Sequence, residues 1–113
     1  MLHVFTLFTL NPATEQAFVR ALRIGGDWYA RAKRTTPHFI AADLLRHQDF
    51  PLFVCIDFWT TPGAYSASAH LPEVRELMRD RIQMSVHALE LGTFSFPSPS
   101  DREPQLTRCA SFH

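Results

Sequence analysis

Cysteine is scarce in this chain. The two thiols among 113 residues, Cys55 and Cys109, are too few for a disulfide framework. One lies in an apolar run and the other near the C-terminus, so reduced thiols are expected. An excess of either charge is also missing: Lys+Arg 11 balance Asp+Glu 11. That removes the electrostatic case for nucleic acid or an anionic membrane as partner. No run approaches the roughly 18 apolar residues of a membrane span. The opening MLHVFTLFTLNP carries neither a basic leader nor the small-residue cleavage site of a signal peptide. A cytoplasmic protein is expected. Glycine is equally sparse, and its one pair, Gly25-Gly26, falls inside a helical stretch rather than after a strand. No phosphate loop exists to seat a nucleotide. The six histidines form no H-x-H or H-x-x-x-H pair and have no Cys-x-x-Cys beside them, so neither a metal site nor any cofactor is expected. The length fits one domain and excludes two-domain nucleotide enzymes.

What the chain has is apolar and aromatic side chains in short runs. Residues 2–10, LHVFTLFTL, have the β-branched and aromatic composition of a strand. Asn11-Pro12 stops it with a good helix cap and a residue suited to the first helical position. Phe18, Ala21, Leu22, Gly25, Trp28, Tyr29 and Ala32 then recur at three- and four-residue intervals, predicting one apolar helix face. Gly25-Gly26 is either a kink or close approach within that helix or a tolerated weak spot. Residues 38–47 read as a second strand and 52–59, LFVCIDFW, as the strongest one, with a four-residue turn that predicts an antiparallel hairpin. Thr60-Thr61-Pro62 opens a helical stretch to about residue 88, divided at Leu71-Pro72. Val74, Leu77, Met78, Ile82, Ser85 and Val86 give its second piece an apolar face. Residues 89–96 make a last strand. The tail, 97–113, is rich in Pro and Ser and is expected to be flexible or ordered only by packing on something else, the dimer included.

The order is β-α-β-β-α-β, an α+β, ferredoxin-like pattern with an antiparallel four-stranded sheet over residues 1–96. Two helices cover one sheet face only, yet the third strand is apolar on both: Leu52, Val54, Ile56 and Phe58 on one side, Phe53, Cys55 and Trp59 on the other. Soluble proteins cover apolar patches of several hundred Å², and a two-fold copy presenting the same sheet does so. A homodimer with sheets face to face, a dimeric α+β barrel, is predicted.

The segment FWTTPGAYSASAHLPEVRELM, residues 58–78, resembles the antibiotic biosynthesis monooxygenase (ABM) type of that barrel. It has a strand ending in Trp, a polar turn, a helix carrying an aromatic, and a small-residue-plus-Pro step into a second helix. The resemblance covers residues 2–96. Quinone-forming members oxidise phenolic polyketide intermediates with O₂ and no metal, flavin or haem. It implies working roles for Trp59, for Tyr65 six positions later, and for Arg79 at the family's interval of about twenty. Cys55 stands where those members carry an Asn. The haem-degrading branch needs an Asn in the first strand and a His in the second helix; HVFTLFTL and residues 73–83 supply neither.

Read by themselves, the residues fill these roles as follows. Trp59 offers a flat face to an aromatic substrate or is simply core. Tyr65 is a donor or a packing residue. Asp57 shares a strand face with Phe53, Cys55 and Trp59, so it is either a base raised by burial or half of a structural ion pair. Arg79 holds an anion or belongs to the solvated face around Arg75, Glu76 and Asp80. Cys55, Trp28, His38 and His70 are candidates for the substrate-binding wall, with either His a possible base. The expected function is cofactor-independent oxygenation of a hydrophobic, aromatic or phenolic small molecule. The alternatives are a non-catalytic barrel binding an apolar ligand and an isomerase of a lactone or other metabolite on the same fold.

Overall fold

Alternation along the strands decides which side of the sheet each residue serves. The computed structural model describes residues 1–97, so the tail expected over 97–113 lies, from residue 98 onward, outside the described residues. Strands β1 (Leu2–Thr9), β2 (Phe39–Arg46), β3 (Leu52–Trp59) and β4 (His87–Ser95) form one antiparallel sheet in the order β2-β3-β1-β4. Leu2, Val4, Thr6 and Phe8 of β1 are buried on the inner face, as are Phe53, Cys55, Asp57 and Trp59 of β3. The fold is α+β, the ferredoxin-like order the sequence predicts.

The inner face is covered by α1 (Glu15–Leu22), α2 (Asp27–Thr35), α3 (Pro62–Ala69) and α4 (Pro72–Gln83). Asn11 accepts a hydrogen bond from the Ala13 amide and Pro12 begins a single 3-10 turn before α1. The expected first helix is broken rather than weakened at the glycine pair. Gly25 sits at φ 87°, and a Cβ on Gly26 would lie 2.2 Å from the Arg20 carbonyl oxygen. A side chain is excluded there, which lets α2 turn back and lay Trp28 and Ala32 on the sheet. Thr61 caps α3 through the Ala64 amide, and Pro72 opens α4, so the division at Leu71-Pro72 is real.

The core is aromatic. Phe8, Phe18 and Phe53 meet in tilted pairs at 5.3 and 5.6 Å, and Phe39 lies edge-on to Trp28 and Trp59 at 6.0 and 5.8 Å. Each such ring contributes about 1.5–3 kcal/mol on burial. Two apolar expectations fail. Ile82 is 49% and Val86 69% exposed, because α4 ends at Gln83 and the chain has entered β4 by His87. The second strip of α4 instead turns Arg81, 4% exposed, into the core.

The helices do not extend over β4. Its residues are exposed or half-buried along the whole strand, although Ala88 and Glu90 lie opposite Phe8 and Thr6 of the inner face. That uncovered strip leaves a cleft.

Candidate functional site

Val74, Leu77 and Arg81 stand at intervals of three and four on α4, which puts Arg81 on the stripe that faces the sheet. A guanidinium buried there must be neutralised, and Asp57 on β3 does it. Arg81 Nη1 donates to Asp57 Oδ1 at 2.7 Å and Nη2 to Oδ2 at 2.8 Å, a bidentate pair closed to solvent. The guanidinium also sits 4.5 Å from the Trp28 ring centroid and 5.3 Å from that of Phe8. Burial by itself would lower the Arg81 pKa, but the Asp57 charge more than offsets this and the net shift is upward. Arg81 stays a cation.

Asp57 is therefore the ion-pair half of the alternatives open to it, with both oxygens engaged. Its Oδ1 also accepts from the Cys55 thiol at 3.4 Å. Cys55 is buried, and desolvation first, then the neighbouring carboxylate, hold its pKa above the ordinary thiol value despite Arg81 Nη1 at 3.3 Å. It is a neutral thiol beneath the site, not a wall of it.

The cleft above this pair has a volume of about 640 Å³. Val4, Phe8, Val74 and Met78 form its apolar floor and side, and Tyr65 projects into it from α3. Its polar rim is Arg75 and Arg79 on α4 and Glu90 on β4, with Asp57 and Arg81 at the base. Tyr65 is half-buried; burial pushes its hydroxyl above the ordinary phenol value, with the Glu90 and Asp57 charges adding to the rise. It remains protonated, a donor, through neutral pH.

Trp59 does not line the cleft. It is fully buried behind Tyr65, the two rings edge to face at 5.2 Å, and its Nε1 has no hydrogen-bond partner in the structure. Trp28 is a core residue whose Nε1 donates to the Leu77 carbonyl at 2.9 Å. His38 and His70 are exposed and away from the cleft wall, His38 resting against Thr60 Oγ1 at 3.2 Å. So Tyr65, Arg79 and Asp57 meet at one cavity, with Trp59 and Cys55 just behind it; Trp28, His38 and His70 do not join them.

Sequence reasoning passed over Arg75, Arg81 and Glu90. Arg81 had a signal: it falls seven residues after Val74, in register with the apolar stripe, where a charge needs a buried partner. Glu90 had none, because it lies at an inner-face position of a strand whose neighbours give no sign that the helices leave it bare. Among the described residues no group of three or more His, Cys, Asp or Glu is placed to hold a metal ion. None of the described helices is long and apolar enough to cross a membrane.

On its outer face the sheet carries a second, shallower concavity of about 470 Å³, lined by His3, Phe5, Leu91, Phe94, Ser95 and Phe96.

No protein-family model matches the sequence, nor does any curated protein. Solved structures do. SnoaB of Streptomyces nogalater, a cofactor-independent oxygenase, superposes with a TM-score of 0.62 at 19% identity, over 88% of this chain and 96% of that one. A Nitrosomonas europaea protein assigned as an antibiotic biosynthesis monooxygenase gives 0.58 at 17%, over 84% and 97%. A conserved protein of Bacteroides thetaiotaomicron gives 0.61 at 14%, over 84% and 96%. The chain has the fold of the antibiotic biosynthesis monooxygenase domain.

Proposed function

We propose that the chain is a small monooxygenase that oxidises a hydrophobic phenolic molecule with O₂ and without metal, flavin or haem. The observation that carries this reading is the cleft itself: a cavity with one apolar side on which a protonated Tyr65 and the Arg79 guanidinium both open. Donors held in place around a developing anion stabilise it more than the mobile dipoles of bulk solvent do. With Asp57 engaged by Arg81, the proton acceptor is Glu90, a cleft carboxylate with no ion pair among those of the described residues. Loss of the phenolic proton makes the ring electron-rich enough to give an electron to O₂. Recombination forms the C–O bond and loss of water leaves a carbonyl; for 1-naphthol, C₁₀H₈O + O₂ gives C₁₀H₆O₂ + H₂O. Tyr65 stabilises the anionic oxygen, and Trp59 holds the Tyr65 ring in place.

The test is 1-naphthol incubated in air and under nitrogen with the wild-type chain and with Tyr65→Phe. Product should form only in air, and losing the Tyr65 donor should slow turnover on the order of 100-fold with the fold unchanged by circular dichroism. Equal product under nitrogen, or none in air, removes oxygenation and leaves the apolar-ligand barrel, whereas unchanged turnover in Tyr65→Phe removes the role given to Tyr65.

The working unit is a homodimer in this reading. Its support is the outer sheet face, where Leu45, Leu89, Leu91 and Phe94 are 58%, 50%, 47% and 54% exposed beside half-buried Val54, Ile56 and Phe58. A contiguous apolar face of this kind needs a cover, and a second copy offers the same surface, self-complementary about a two-fold axis.

A further inference from the structure

Two guanidiniums stand one helical turn apart on the cleft side of α4. Arg75 and Arg79 both line the cavity, both are exposed, and neither takes part in an ion pair among the described residues. The neighbouring cations behave differently: Arg31 pairs with Asp80 at 2.6 Å and Arg81 with Asp57. Like charges four residues apart weaken a helix slightly, so the arrangement is not one that helix stability selects. The charged groups of the cleft are Asp57 and Glu90 against Arg75, Arg79 and Arg81, three positive and two negative. Removing the internally neutral Asp57–Arg81 pair leaves both positive charges of the excess-bearing set on the α4 rim and the single free carboxylate on the opposite wall, at β4. Below the rim Val4, Phe8, Val74 and Met78 give an apolar surface around Thr6 and the paired Asp57 and Arg81.

We infer that the ligand of this cleft is an amphipathic anion, an aromatic ring system whose carboxylate is held at the rim by Arg75 and Arg79 while the rings occupy the apolar floor. This rests on reading the cleft as the ligand site. Guanidinium forks match the planar geometry of a carboxylate and bind it through charge-assisted hydrogen bonds. A hydroxyl on the far edge of the same ring system faces Glu90 as a donor faces an acceptor. The rim thus fixes which end of the molecule enters first, and a neutral phenol of the same size lacks that orientation.

The experiment measures the affinity of 6-hydroxy-2-naphthoate and of 2-naphthol by titration calorimetry, with wild-type chain and with the Arg75→Ala/Arg79→Ala double variant. Both positions are exposed, so the variant should fold normally, which circular dichroism checks. In the wild type the naphthoate should bind about ten-fold tighter than the naphthol, with an advantage that shrinks as salt is raised. In the double variant that advantage should vanish. Equal affinity of the two compounds, an advantage that survives the double substitution, or failure of both to bind overturns the inference. Failure of oxygenation reads out separately, as binding with the predicted preference but no O₂-dependent product.

Discussion

Asp57→Ala is expected to lower the unfolding free energy by about 3–5 kcal/mol, because it strands a buried guanidinium without its counter-charge. A domain of this size is stable by only about 5–15 kcal/mol, so the variant should be marginal or unfolded at room temperature. Arg81 cannot escape by losing its proton, and its enclosure by Trp28 and Phe8 leaves it no route to water without opening the core. A joint replacement, Asp57→Leu with Arg81→Met, removes both charges and should recover most of the loss, since apolar side chains of similar volume replace buried ion pairs at little net cost. The denaturation midpoint in urea measures both. If Asp57→Ala lost less than about 1 kcal/mol, the pair would be solvated in solution and the site built on it would be wrong.

The second large effect concerns the outer sheet face. The wild-type chain should sediment at twice 12.9 kDa, about 26 kDa, and Ile56→Glu should sediment as a single subunit at micromolar concentration. Ile56 lies on the outer face of a central strand, opposite Phe5 of β1 and Asp43 of β2. A carboxylate there is buried unpaired when two sheets meet, at a cost of several kcal/mol counted twice by symmetry. A standard interface buries about 1,200–2,000 Å² in total, more than enough to be lost by that change. A monomeric wild type contradicts the proposed dimer, whereas a variant that remains dimeric moves the interface elsewhere.

Much of the frame was legible in the residues alone. The two-residue period of a strand sorted LHVFTLFT and LFVCIDFW into two faces, but both faces are apolar, so which one meets the helices is decided by packing, where burial alternates strictly. The Asn-Pro and Thr-Pro steps marked helix starts because capping chemistry is local. The broken first helix was half visible. Glycine shows that a helix is weakened, while the closeness of Gly26 to the Arg20 carbonyl, which leaves no room for a Cβ, shows only in the folded chain. The site was harder to read for the same reason. Asp57 was recognisable as an acid among apolar neighbours, but which cation meets it depends on how α4 rotates over the sheet, and that rotation buries Arg81 while turning Arg75 and Arg79 to the rim. Glu90 became a cleft residue only because the helices stop short of β4.

The central claim is that small aromatic molecules act in the cleft between α4 and the inner sheet face, and ligand-induced chemical shift changes test it most directly. Titrating 1-naphthol into isotope-labelled protein should move the resonances of Tyr65, Val74, Met78 and Glu90 together, with those of His3, Phe5 and Phe94 unmoved. Shifts confined to the His3, Phe5 and Phe94 groove, with Tyr65 and Met78 unchanged, would contradict it.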